Sequence, residues 1–214
     1  MLGIRNTGPR AALLAIPLAL GLLGAAAGPV GAVGSHASHP GENVTCRGKG
    51  VDPDALVRHR TEIVINAPLR TVWKLQTDVE RWPSWQTPVE TVERLDHGVL
   101  RKGSAFRWVL PVPPNPATPA TSLEITSTVQ QIKHRSCIRW TGPAIGEGLR
   151  IDGVHVWKFT EVEGGVRVTT EETHTGTQVE ADVPTATKLL REGLEAWLHD
   201  LKSAAEAHAH NGPY

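Results

Sequence analysis

The sequence predicts an α+β domain in which an antiparallel meander of strands covers one long C-terminal helix, with two short helices after the first strand. Three observations carry this. Between Glu62 and Gln86 the apolar spacing changes from period two to a helical stripe. Six strand-like stretches separated by short turn segments follow, and the chain then ends in a helical pattern whose apolar face is broad enough to need a sheet over it.

The elements follow in order. In the first strand, Ile63 and Ile65 alternate with Glu62, Val64 and Asn66. Pro68 then sets the backbone for a first helical turn, and Leu69, Val72, Trp73 and Leu75 form the stripe of the helix behind it. Asp78 to Trp85 reads as a second short helix that closes at Trp82-Pro83-Ser84-Trp85, because proline restricts the residue before it. Strands are predicted over 89–95, 104–110, 122–131, 136–140, 153–162 and 166–175. They are punctuated at His97-Gly98, the proline cluster from Pro111 to Pro119, His134-Arg135, Gly142 to Gly148 and Gly164-Gly165, and such short links predict an antiparallel meander. The last helix is expected over 183–208, with Asp182 as N-cap, Pro184 in the first turn, and Ala186, Leu189, Leu190, Gly193, Leu194, Trp197, Leu201 and Ala204 on its apolar face.

The start of the chain reads as a leader. Arg5 and Arg10 precede or open an apolar run from Ala11 to Leu23, and small residues close it at Ala25-Ala26-Ala27, so residues 1–27 are expected to be a signal peptide. Pro17, Gly21 and Gly24 interrupt that run and leave it short of the roughly 20 residues a spanning helix needs. The expected location is therefore secreted or cell-envelope, with no stable membrane span after cleavage. Residues 28–58 read as an irregular extension, 59–208 as the one domain, and 209–214 as a tail. Without Arg5 and Arg10 the charge balance is 20 basic to 22 acidic residues, with no run of five like charges, which speaks against a nucleic-acid partner. Cys46 and Cys137 are the only cysteines. In an exported chain they either pair as one disulfide or remain two free thiols, and neither has a CxxC partner or neighbouring His that would suggest a metal or redox site.

Several segments together resemble the SRPBCC superfamily, the START-like and birch-pollen-allergen-like group that includes polyketide cyclase/dehydrase-like proteins and lipid-transfer domains. They are Ala67-Pro68 with Val72-Trp73, Asp78 before Trp82-Pro83-Ser84-Trp85, Gly153-Val154-His155-Val156-Trp157, and Gly164-Gly165 before the last strand. The resemblance covers about Thr61 to Glu206. It implies the helix-grip fold, in which a curved antiparallel sheet wraps around the long C-terminal helix, and a pocket for an apolar ligand between sheet and long helix. The leader, the extension carrying Cys46 and the proline insert depart from the pattern, so no particular substrate carries over.

Strand alternation says which side chains face that gap. If Val166 and Val168 point inward, so do Thr170, Glu172 and His174; if Trp157 and Phe159 do, so does His155; Phe106, Trp108 and Leu110 form the matching face of an earlier strand. Seven Trp against two Phe and one Tyr is an unusual aromatic balance. Trp82, Trp85, Phe106, Trp108, Trp140, Trp157 and Trp197 are the candidate ligand-binding residues, with ordinary core filling as the competing role for each. His155, Glu172 and His174 are the candidate catalytic set, since a carboxylate beside imidazole in a poorly solvated pocket can poise proton transfer; the competing role is a structural network. Two His and a Glu also suit a divalent metal, but their spacing is not a specific motif, and neither metal nor cofactor is expected. Gly193 costs about 1 kcal/mol relative to Ala in a helix. Either close packing or room for a ligand must explain it, and packing is the expectation. Two functions stay open: an exported binding protein for a small hydrophobic molecule, lipid-like or aromatic, or a polyketide cyclase/dehydrase-like enzyme working on a diffusible carbonyl substrate, with Glu172 or His174 as general base and His155 polarising the carbonyl.

Overall fold

The computed structural model describes residues 43–114 and 120–210. The expectations for the leader and for residues 28–42 lie outside them, as do those for the end of the tail. Strand β1 (Val57–Ile65) leads through Pro68, which takes the N-cap position, into helix α1 (Leu69–Thr77) and then a 3-10 helix (Val79–Ser84). Six strands follow: β2 (Thr91–Arg94), β3 (Ala105–Val112), β4 (Thr121–Lys133), β5 (Cys137–Gly146), β6 (Leu149–Val162) and β7 (Gly165–Thr175). All pair antiparallel in one sheet of order β1-β7-β6-β5-β4-β3-β2. A short helix α2 (Thr177–Ala181) precedes the long α3 (Val183–His210), whose N-terminus is capped by Asp182: its carboxylate accepts a hydrogen bond from Thr185 N at 3.1 Å.

Several boundaries differ from those expected. Strand β1 begins at Val57, inside the stretch read as irregular extension, and α3 continues two residues past 208. The glycines of 142–153 do not form a loose bend. Gly142 and Gly146 sit within β5 and Gly153 within β6, leaving a tight turn at Glu147-Gly148, where Gly148 has φ +64°. Gly142 is required by a close approach: a Cβ there would stand 1.9 Å from the carbonyl oxygen of Thr126 on β4.

The concave face of the sheet and the C-terminal half of α3 enclose a solid core. Trp82 lies at its centre, fully buried, with edge-to-face contacts to Phe106 at 5.3 Å and Trp197 at 4.8 Å. Leu198, Leu201 and Ala205 close it from the helix side.

The opposite face is covered too. Val156, Glu171 and Thr173 alternate with His155, Glu172 and His174 and so point the other way. There the chain before β1 lies across them. Val44 and Cys46 pack against Cys137 and Val156, and Cys46 is joined to Cys137 by a disulfide. Arg139 Nε donates to Gly50 O at 2.8 Å. Glu171 is almost fully buried, and its carboxylate accepts from Val44 N and from Arg58, each at 3.0 Å. A buried carboxylate needs such partners. The segment read as extension is therefore part of the domain from Val44 onward.

Candidate functional site

Where the N-terminal half of α3 spans the sheet, Leu190 and Leu194 rest on Val57 of β1, but the helix stands off strands β3 to β6. A cavity of about 390 Å³ opens between them, within the range of small-molecule pockets. Its wall is largely aliphatic. Leu110 comes from β3, Leu123 and Ile125 from β4, Leu149 and Ile151 from β6, and Ala186, Leu190 and Leu194 from α3. Trp108, Trp140 and Trp197 form its aromatic part, next to the solid core; the Trp108 and Trp197 rings meet at 5.7 Å. Lining residues that are also solvent-exposed, Pro88, Pro111, Pro113, Leu189 and Gly193, mark its opening.

Three of the seven aromatic candidates, Trp108, Trp140 and Trp197, thus face the cavity. Trp82, Phe106 and Trp157 are fully buried behind that wall, and Trp85 packs against the core edge. Trp82 touches all three lining tryptophans, at 5.6, 6.1 and 4.8 Å, so it supports the wall from behind. Gly193 corrects the packing expectation. It lines the cavity, and apart from its chain neighbours and its own helix backbone no heavy atom lies within 4 Å of where its Cβ would stand. Alternation alone did not reveal the aliphatic wall of β4 to β6 or the contributions of Gln178, Asp182 and Thr185.

The polar part of the lining lies on β6 and β7, where pairing sets His155 opposite Glu172. His155 Nδ1 is 3.2 Å from Glu172 Oε2, and His174 Nε2 is 3.3 Å from Glu172 Oε1. The other His155 nitrogen, Nε2, is 2.7 Å from Thr170 Oγ1. With neutral His155 donating Nδ1–H to the carboxylate, Nε2 is an acceptor, and the one Thr170 hydroxyl proton is shared between it at 2.7 Å and Val156 O at 3.2 Å. Burial pushes the His155 imidazole down to about 4, against the pull of Glu172 and with the help of His174. Burial raises the Glu172 carboxyl, but His155 and His174 together hold it below the usual value. Both ring nitrogens of His155 are engaged, so it positions Glu172 and has no free N–H for a substrate carbonyl. Glu172 and His174 keep access to the cavity. Among the described residues no group of His, Cys, Asp and Glu could hold a metal ion.

This predicts an acid-sensitive fold. Unfolded His155 binds a proton below about pH 6.5 and the folded residue only near 4, so stability is lost as pH falls between these values. The loss is about 3 kcal/mol. Thermal melts at pH 7, 5 and 4 check it: His155→Gln should flatten the slope relative to the parent protein, and parallel slopes would contradict it.

A model of the family described as polyketide cyclase / dehydrase and lipid transport matches residues 57–206. No curated protein matches the chain. A START superfamily protein from Mycobacterium smegmatis shares the fold with a TM-score of 0.57 at 15% identity, over 70% of this chain and 97% of that one. A protein from Thermus thermophilus aligns with a TM-score of 0.56 at 21% identity, over 71% and 99%. The di-domain ARO/CYC protein of the steffimycin biosynthetic pathway aligns at 0.50 and 19% identity, over 70% of this chain and 45% of that one. Among the described residues no helix is long and apolar enough to cross a membrane.

Proposed function

Since the chain belongs to the polyketide cyclase / dehydrase and lipid transport family, we propose that it is an exported protein that binds one small hydrophobic molecule in the cavity under α3. The cavity itself carries this reading. An apolar space of about 390 Å³ is costly to keep beside a close-packed core unless something fills it. Gly193 supports the same reading, because alanine there would favour the helix and would meet nothing. Export rests on the leader pattern of residues 1–27 and fits the disulfide, which persists in oxidising compartments.

Native mass spectrometry of protein purified from its own host, followed by solvent extraction, tests both parts. The expected result is a polypeptide that starts after the leader and carries one apolar adduct. A protein that leaves the host bare, and stays bare when incubated with fatty alcohols or polycyclic aromatics, overturns binding. An intact N-terminus overturns export.

One observation favours an enzymatic reading as a second possibility: Glu172 reaches an apolar cavity while held by two imidazoles. In that reading Glu172 or His174 takes a proton from carbon next to a carbonyl, and His155 orients Glu172. Glu172→Gln and His174→Ala separate the readings. Turnover of a carbonyl substrate lost with affinity retained makes the protein an enzyme; no turnover in the parent protein leaves it a binder.

A further inference from the structure

We propose, building on the binding-pocket reading, that the cavity selects hydrophobic amines, with the ligand ammonium seated on Glu172 beside Gly153. The charge of the lining is one-sided. Its charged residues are Glu172 and Asp182, and no Lys or Arg lines it among the described residues. The undescribed stretch 115–119, Asn-Pro-Ala-Thr-Pro, contains no charged residue either. Nearby cations are held elsewhere: Arg150 by Asp152 at 2.7 Å and Lys188 by Glu192 at 3.1 Å. The partial positive charge at the N-terminus of α3 is met by Asp182 through its bond to Thr185 N.

Glu172 has hydrogen bonds from two histidines but no Lys or Arg partner. His155 and His174 each donate one N–H to it, whereas a carboxylate accepts about four hydrogen bonds. Burial pushes the His155 imidazole down, so His155 adds no charge to the carboxylate in a largely apolar pocket. Its side chain is 19% exposed, and that exposure faces the cavity. A Cβ on Gly153 would stand 3.5 Å from Oε1, so the missing side chain leaves the carboxylate open to approach. An ammonium brings both the missing charge and N–H donors. A ligand carboxylate meets repulsion at Glu172 and again at Asp182.

The test compares micromolar decylamine, decanol and decanoate at pH 8, above the unperturbed imidazole value of about 6.5, by displacement of a neutral fluorescent probe. The expected order is amine, then alcohol, then carboxylate, with the amine at least about tenfold tighter than the alcohol. In Glu172→Gln the gap between amine and alcohol should collapse. Decanoate binding as tightly as decylamine, or a gap that survives Glu172→Gln, overturns the proposal. If the variant does not fold, the order in the parent protein decides alone. If decanol binds but the order is wrong, only the amine preference falls; if none of the three displaces the probe, the binding pocket falls with it.

Discussion

Replacing both cysteines by serine should lower the melting temperature by on the order of 10 °C. The bridge between Cys46 and Cys137 closes a loop with a sequence separation of 91. In the chain-entropy model so long a loop stabilises by about 4 kcal/mol, and a domain of this size loses roughly 2–4 °C per kcal/mol. The bridge also holds Val44 and its neighbours against the sheet, where Val44 N helps satisfy buried Glu171. Loss of the strap would leave that carboxylate with Arg58 and without a backbone donor. Calorimetry of the parent protein and the double variant, with a reductant arm on the parent, checks this. Melting points within about 2 °C would mean that the strap is held without the bridge.

Trp82→Ala should cost about as much, 3–5 kcal/mol, because a large buried ring is replaced by a cavity. Trp82 is 0% exposed and touches Phe106 and the three tryptophans of the cavity wall. Its Nε1 donates to Gln76 O, while Trp197 donates to the Gln76 side chain, so one glutamine anchors two rings. The variant should therefore weaken ligand uptake as well as stability. Trp82→Phe keeps most of the apolar contact and should lie between variant and parent in urea denaturation. Equal midpoints for Trp82→Ala and the parent protein would show that Trp82 is not the support of the wall.

These positions differ in how well their role can be read from sequence. Periodicity placed the strand-to-helix switch, the meander and the long helix, since each rests on local spacing. It also placed His155 and Glu172 on inward faces, because their strands alternate over many residues. It lost β5 after Trp140, where Thr-Gly-Pro-Ala-Ile-Gly reads as turn chemistry; the close crossing of β4 over Gly142 is a tertiary demand with no local signature. The short helix α2 was likewise hidden in what reads as a link. The aromatic candidates divided between cavity wall and core for a related reason. Inward orientation is set by the strand, whereas facing a void or another ring depends on where α3 lies above it. Cys46 carries no local sign that its segment crosses the outer face; the disulfide to Cys137, the Val44 N–Glu171 bond and the packing of Val44 and Val51 against Val156 show it.

Gly193 offers the most direct measurement of the central claim. Its Cβ position is open, so Gly193→Ala should raise the melting temperature by roughly 2–3 °C through helix propensity, and Gly193→Phe should place a ring at the mouth of the cavity. Titration of the parent protein and the Phe variant with 1-aminoanthracene, following probe emission and tryptophan quenching, reads the outcome. The expected result is saturable one-to-one binding in the parent protein and its loss in a Phe variant that melts no lower. Equal binding by both proteins would place the ligand elsewhere and contradict it.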